Sequence, residues 1–260
     1  MCGLRTALCQ ISSTTDPAEN LERVRAGVRA AAGAGADLVV FPEATQCRFG
    51  VPLGPVAEPL DGPWATAVAE AADAAGVVVV AGMFTPAGDR VRNTLLVTGR
   101  GQHRGYDKIH LFDAFGFEES RTVAPGTELV SVEVDGVVVG ITTCYDVRFP
   151  ELYRALAAGG AHAIVVAASW GSGPGKVEQW ELLVRARALD STAWVLACGQ
   201  AFSDLESKAP LGVGHSVVAS PTGAVVAALG PEPDMLLWDV DTDVVARTRE
   251  ALPVLANRRL

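Results

Sequence analysis

Continuous apolar runs alternate along this chain with Ala-rich amphipathic stretches, and the two periods predict strands covered by helices. Leu4 to Ile11 reads as a strand. Asp16-Pro17 starts a helix on which Leu21, Val24 and Val28 recur at helical spacing, until Gly33 and Gly35 stop it. Asp37 to Phe41 is a second strand. Gly62-Pro63 opens a second helix that runs to about Ala75 and ends at Gly76, and Val77 to Phe84 and Thr94 to Thr98 give two further strands. Gly99 to Glu128 reads as a long loop, but Tyr106, Ile109, Leu111, Phe112, Phe115 and Phe117 make it too apolar for a floppy linker.

The same order returns in the second half. A strand at Val137 to Thr143 precedes a helix from about Pro150 to Ala158 and a strand at Ala163 to Ala168. Lys176 to Asp190 carries helical spacing through Trp180, Leu183, Val184 and Leu189 and leads to a strand at Ala193 to Ala197. Ser216 to Ala219 and Ala224 to Leu229 form a hairpin-like pair around Pro221-Thr222-Gly223, and Met235 to Val240 adds an edge strand. Two halves, each ordered strand, helix, strand, helix, strand, strand, predict two sheets face to face with helices outside, a four-layer αββα sandwich. No Pro/Ser-rich linker, like-charge block or low-complexity tract separates them, so residues 1–260 read as one domain.

Composition narrows the function classes. With 49% hydrophobic residues the chain has ample core for a folded α/β domain. Its 21 Lys+Arg against 30 Asp+Glu leave a formal charge of -9, a field that repels phosphates and anionic lipid, so nucleic acid and acidic membranes are not expected partners. No apolar run approaches the roughly 18 residues of a membrane span. The N-terminus lacks the basic and long apolar regions of a secretory signal, which points to a cytoplasmic address. Cys2, Cys9, Cys47, Cys144 and Cys198 are odd in number and lack CxxC spacing, so neither a disulfide framework nor a zinc knuckle is indicated. His103, His110, His162 and His215 show no paired ligand spacing, and neither a metal nor a cofactor is expected. Gly33-Ala34-Gly35 precedes a strand instead of following one, and Gly171 to Lys176 has Trp170 and Val177 where a phosphate-binding loop needs Gly and Ser/Thr.

Ligands of α/β sheets gather beyond the C-terminal ends of strands. Glu43 follows the second strand, Cys144 follows Val138 to Thr143, and Lys108 lies in the long apolar loop. Singly, Glu43 reads as a solvated strand-end carboxylate, Lys108 as a surface lysine and Cys144 as a buried structural thiol. Together they make a reaction centre. A thiol is mostly protonated near neutrality and needs a base to remove its proton or a cation to favour the thiolate, and Glu43 is the candidate base. Attack on an amide carbonyl develops negative charge on oxygen, which Lys108 and a backbone N–H stabilise.

At these residues the sequence resembles the nitrilase superfamily of carbon–nitrogen hydrolases. The resemblance spans nearly the whole chain, through Phe41-Pro42-Glu43-Ala44, Tyr106 to Asp113, Phe117-Glu118-Glu119-Ser120, Gly140 to Glu151, Trp180 to Ala188 and Gly214-His215-Ser216. It implies an αββα sandwich, a catalytic Glu43, Lys108 and Cys144, and a second acid at Glu119 that orients the lysine and the substrate nitrogen. It also implies pairing through an outer helix surface into a homodimer or higher homo-oligomer, and the mechanism expected here places the oxyanion between Lys108 and the Tyr145 N–H.

Tyr145-Asp146 after the cysteine differs from the Trp-Glu of true nitrilases and resembles the amidase branch that contains ω-amidase and deaminated glutathione amidase. The expected partner is a small-molecule amide. The alternatives are an N-carbamoyl amine or ureido-acid hydrolase and, in another class, a catalytically silent binder or scaffold. Arg148 is a candidate for a substrate carboxylate or for an ion pair with Glu151. Trp170, in a segment that departs from the ω-amidase pattern, is a candidate pocket wall or a core residue.

Overall fold

The computed structural model describes residues 3–205, 209 and 211–259, so Cys2 lies outside the described residues. Two six-stranded sheets stack face to face. The first half of the chain lays down β1 (Gly3–Gln10), α1 (Pro17–Gly33), β2 (Leu38–Val40), α2 (Pro63–Ala75), β3 (Val78–Ala87), β4 (Arg90–Gly99) and β5 (Gln102–Asp107). A small hairpin, β6 (Asp113–Ala114) and β7 (Phe117–Glu118), follows. The second half supplies β8 (Ser131–Val134), β9 (Val137–Thr143), α3 (Pro150–Ala158), β10 (Ala163–Ala168), α4 (Lys176–Ser191), β11 (Trp194–Gly199), β12 (Val217–Ala219), β13 (Val225–Ala228), β14 (Asp234–Asp241) and α5 (Thr242–Ala251).

The sheet orders are β14-β1-β2-β3-β4-β5 and β13-β12-β11-β10-β9-β8. In each the central three strands, β1, β2, β3 and β9, β10, β11, run parallel, and antiparallel strands close the flanks. Parallel strands covered on both faces read as unbroken apolar runs, and their period of two sorts the side chains into layers. Leu38, Val40, Val78 and Val80 meet Val139, Ile141, Val165 and Leu196 between the sheets. The alternate residues Val39, Phe41, Val79 and Ala81 pack under α1 and α2, while Ile164, Val166 and Val195 pack under α3 and α4. The expected αββα sandwich is the observed one.

Local chemistry sets the helix ends. Asp16 caps α1 by accepting the Ala18 N–H at 2.8 Å with Pro17 in the first turn, and α2 stops at Gly76, whose φ of 68° is left-handed.

Three readings need correction. The loop expected at Gly99 to Glu128 contains β5 and the β6–β7 hairpin; β5 escapes an apolar count because it is an edge strand whose one fully buried side chain is Tyr106. Two elements were not expected at all: β8, where only Val132 and Val134 point inward, and α5, where Val245 and Thr248 alone are buried. Met235 to Val240 is an edge strand as expected, but of the first sheet, where it pairs antiparallel with β1 in the register Leu4↔Val240 and Leu8↔Leu236. None of the helices among the described residues is long and apolar enough to cross a membrane.

Candidate active site

The parallel strands of both sheets discharge their C-terminal ends into one region, and the loops there carry the functional side chains. Glu43 follows β2, Cys144 follows β9 and Ser169 follows β10. The polar side chain of Gln200, just after β11, ties that strand end to the segments after β1 and β2: its Nε2 donates to the Glu43 carbonyl at 3.1 Å and to Ser13 Oγ at 2.7 Å.

Glu43 and Lys108 are 1% and 2% exposed, far from the surface positions that their residue types favour. Lys108 leaves the end of β5 and its Nζ donates to Glu43 Oε1 at 3.0 Å and to Glu119 Oε1 and Oε2 at 3.1 and 2.9 Å. Burial alone would lower the Lys108 pKa, but attraction to Glu43 and Glu119 outweighs it and holds the ammonium well above the usual lysine range. Glu119 is fixed from its other side by the Phe112 N–H, 2.6 Å from Oε2. Glu43 Oε2 accepts the Ser169 N–H at 2.8 Å, and Oε1 accepts a second donor, Asn93 Nδ2, at 2.7 Å. The same amide nitrogen reaches Glu119 Oε1 at 3.3 Å.

Cys144 stands at a sharp elbow between β9 and a 3-10 turn, Cys144–Arg148, with a φ of 45° that side chains other than glycine rarely adopt. Such strain of about 1–3 kcal/mol persists only where the surroundings impose it. Here Asp146 is the clamp. Its fully buried carboxylate accepts the Thr143 N–H and the Tyr106 hydroxyl on Oδ2, at 3.0 and 2.7 Å, and the His110 N–H and Nδ1 on Oδ1, at 3.0 and 2.7 Å. The His110 ring stacks on Phe149 with centroids 3.6 Å apart. Burial first, then the nearby Glu43 charge, raise the Cys144 pKa well above the usual thiol range despite the opposing pull of Lys108. The resting sulfur is therefore a protonated thiol that shares a cavity with the Glu43 carboxylate. The other described cysteines, Cys9, Cys47 and Cys198, are also free and buried.

A cavity of about 100 Å³ opens over this cluster. Glu43, Lys108, Glu119 and Cys144 lie at its chemical end, and aromatic side chains including Phe112, Tyr145 and Trp170 form its walls. Trp170 is both candidate things at once: it lines the cavity, and it is 5% exposed, packed on Trp180 with centroids 5.4 Å apart and bonded through Nε1 to the Lys176 carbonyl at 2.9 Å. Arg148 forms no ion pair with Glu151. It turns into the cavity wall, donates Nη2 to Gln179 Oε1 at 3.0 Å and lies over the rings of Trp170 and Tyr145, at 5.2 and 5.9 Å.

All the residues expected at the site, Glu43, Lys108, Glu119, Cys144, Tyr145, Arg148 and Trp170, thus line one cavity. The sequence reading missed Asn93, Asp146 as a clamp, and Gln200. For Asn93 the available signal was a carboxamide immediately before the apolar run Thr94 to Val97, a position that a half-buried strand fills with an amide only if partners await it. Among the described residues, no three His, Cys, Asp or Glu side chains group as metal ligands.

Two layers of sheet lie between helices, with an acid, a lysine and a cysteine gathered in one cavity at the strand ends. The chain belongs to the carbon-nitrogen hydrolase family, whose profile matches residues 5–250. It is 58% identical to a hydrolase of Mycobacterium tuberculosis over 98% of this chain and 95% of that one, and 32% identical to an omega-amidase of Danio rerio over 100% and 96%. Among solved structures it is similar to Saccharomyces cerevisiae Nit3, a member of branch 10 of the nitrilase superfamily, with a TM-score of 0.87, 28% identity and coverage of 99% and 97%.

Proposed function

We propose that the protein is an amidase that hydrolyses a small linear amide through a thioester on Cys144, releasing ammonia and a carboxylic acid. The observation that carries this reading is the gathering of a protonated Cys144 thiol, Glu43 and Lys108 in one cavity, with the Lys108 ammonium donating to Glu43 Oε1. Glu43 takes the thiol proton as sulfur attacks the carbonyl carbon. The oxyanion that forms is stabilised by Lys108 and by the Tyr145 N–H, a group at the start of the 3-10 turn where no intrahelical carbonyl accepts it. Glu43 then gives its proton to the departing ammonia, and afterwards takes one from the water that cleaves the thioester. Glu119 holds Lys108 by both carboxylate oxygens and so keeps the ammonium aimed while Glu43 changes charge. The likeness to an omega-amidase supports an amide substrate, and Arg148 at the cavity wall supports one that carries a carboxylate at its far end. The same reading includes a cytoplasmic address and assembly into a homodimer or higher homo-oligomer, the second of which light scattering tests.

The experiment is ammonia release from α-ketoglutaramate, from neutral aliphatic amides and from N-carbamoyl amino acids, with and without Cys144→Ala. Turnover of the first group that vanishes in the folded Cys144→Ala variant is the expected result. Carbon dioxide released with the ammonia would identify a carbamoyl hydrolase, and full activity without the thiol would overturn the thioester.

A further inference from the structure

We infer that Asn93 is a positioning residue of the hydrolysis, directing the Cys144 proton to one of the two oxygens of Glu43. This inference rests on the reading of Glu43 as the base. Asn93 is fully buried on β4, opposite Phe84 of β3, and one amide nitrogen spans both acids of the centre, 2.7 Å from Glu43 Oε1 and 3.3 Å from Glu119 Oε1.

The donor inventory makes the two oxygens of Glu43 unequal. Oε1 faces Lys108 Nζ at 3.0 Å and Asn93 Nδ2 at 2.7 Å, groups that only donate, so a proton on Oε1 would point at another proton. Oε2 faces one N–H, that of Ser169 at 2.8 Å, and keeps a lone pair for the thiol. Without Asn93, Oε1 would have a vacant lone pair and would compete for the proton at the oxygen that serves the lysine. A proton parked there would break the Glu43–Lys108 bond at the moment when the ammonium is needed by the oxyanion.

Charge explains why a neutral amide occupies this place. Two buried carboxylates and one ammonium leave an excess of one negative charge, and Nδ2 shares hydrogens with both acids without adding a second cation that would pin Glu43 as a permanent anion. The orientation of the amide is set by these bonds alone, since Asn93 Oδ1 has no hydrogen-bond partner among the described residues. Turning the amide over would aim that oxygen at two carboxylates.

The test compares pH profiles of kcat/KM for ammonia release, and rates of Cys144 alkylation by iodoacetamide, in the unaltered protein and in Asn93→Asp, Asn93→Ser and Glu43→Gln. Asn93→Asp keeps the shape but removes the donor, and is expected to lower kcat/KM at neutral pH about 100-fold. It should also move the acid limb of the profile upward by about one pH unit or more, because a carboxylate that loses a donor and gains an anionic neighbour holds its proton more tightly. Asn93→Ser, with a single hydroxyl donor, should restore part of the limb and covers the case in which the aspartate variant does not fold. A limb that stays in place in whichever of these variants folds, whatever the loss of melting temperature, would assign Asn93 a merely structural role and overturn the inference. Turnover retained in Glu43→Gln would instead overturn the base itself, so the two failures are distinguishable.

Discussion

The Tyr106 hydroxyl donates to Asp146 Oδ2 at 2.7 Å and thereby joins the edge strand β5 of the first sheet to the turn that carries Cys144 on the second. Both residues are fully buried, and the Asp146 carboxylate also receives the Thr143 N–H immediately before Cys144. Burial, then the nearby Asp146 charge, push the Tyr106 phenol well above the usual tyrosine range, so this hydroxyl is a donor at every working pH.

Asp146→Asn is therefore expected to act on the elbow and not on substrate binding. One of its two oxygens becomes an NH2 that faces donors, which costs about 2–4 kcal/mol by breaking a buried, charge-assisted network. Relaxation of the strained Cys144 backbone should lower kcat about 100-fold at nearly constant KM. Tyr106→Phe, which removes one donor and leaves the others, should cost about 1.5–3 kcal/mol in urea denaturation with a smaller loss of kcat. An Asp146→Asn protein with unchanged kcat would show that the elbow is held by something else.

Gly82 supplies a second prediction about position. It lies on β3 where the Glu43 loop crosses, and a Cβ there would meet Ala44 N at 2.4 Å and the Glu43 carbonyl carbon at 2.8 Å, both backbone atoms that have no rotamer to escape into. The Gly82→Ala variant should lose about 1–3 kcal/mol of stability from overpacking. If it folds, the displaced Glu43 should lower kcat/KM at least tenfold. Normal activity and melting temperature together would mean that the loop has room to move.

What could be read from the chain follows the reach of each interaction. The parallel strands and α1 to α4 were legible because their signals are local: a period of two or 3.6, Pro17 and Asp16 at one helix end, Gly76 at another. The convergence of Glu43, Lys108 and Cys144 on one cavity was legible because their side chains make chemical sense only together, although Glu43 and Lys108 lie 65 residues apart. Polar residues whose role is to hold others were not legible. Gln200 bonds Ser13 across 187 positions and Asp146 bonds Tyr106 across 40, so nothing near either one distinguishes it from a surface residue. The β5 strand was missed for the converse reason: its polar edge looks like a loop, and only pairing with β4, in the register Leu95↔Tyr106, makes it a strand.

Arg148 gives a prediction about selectivity. Its guanidinium already has one bond, to Gln179, and rests on the faces of Trp170 and Tyr145, which leaves donors of its planar fork for a carboxylate in the cavity. Arg148→Ala is expected to raise KM about tenfold or more for an amide with a distal carboxylate, as the loss of a charge-assisted bond requires, and to leave kcat nearly unchanged. Neutral amides of the same length should be hydrolysed within about twofold of the unaltered rate. Equal losses for both substrates would make Arg148 a packing residue of the aromatic wall.

Buried thiols make the fold sensitive to alkali. Burial pushes Cys9 from 9.0 up to about 12, and raises Cys198 well above the same starting value, as it does Cys144. In the unfolded chain these thiols ionise near 9.0, so above that pH the unfolded state binds fewer protons than the folded one. Stability contributed by the protonated thiols is then fully present below pH ~9 and is lost as pH rises toward the folded values, each thiol adding a slope of up to about 1.4 kcal/mol per pH unit. Lys108 and Tyr106, also raised in the folded state, add to the same sign above pH ~10. Urea denaturation at steps from pH 8 to pH 11 should show a stability that holds to about pH 9 and then falls. In Cys9→Ala the fall should be shallower by about one thiol's slope, a comparison that cancels the cost of about 1–2 kcal/mol expected from the emptied volume beneath α1. A stability independent of pH over this range would show that the thiols ionise in place without opposing the fold.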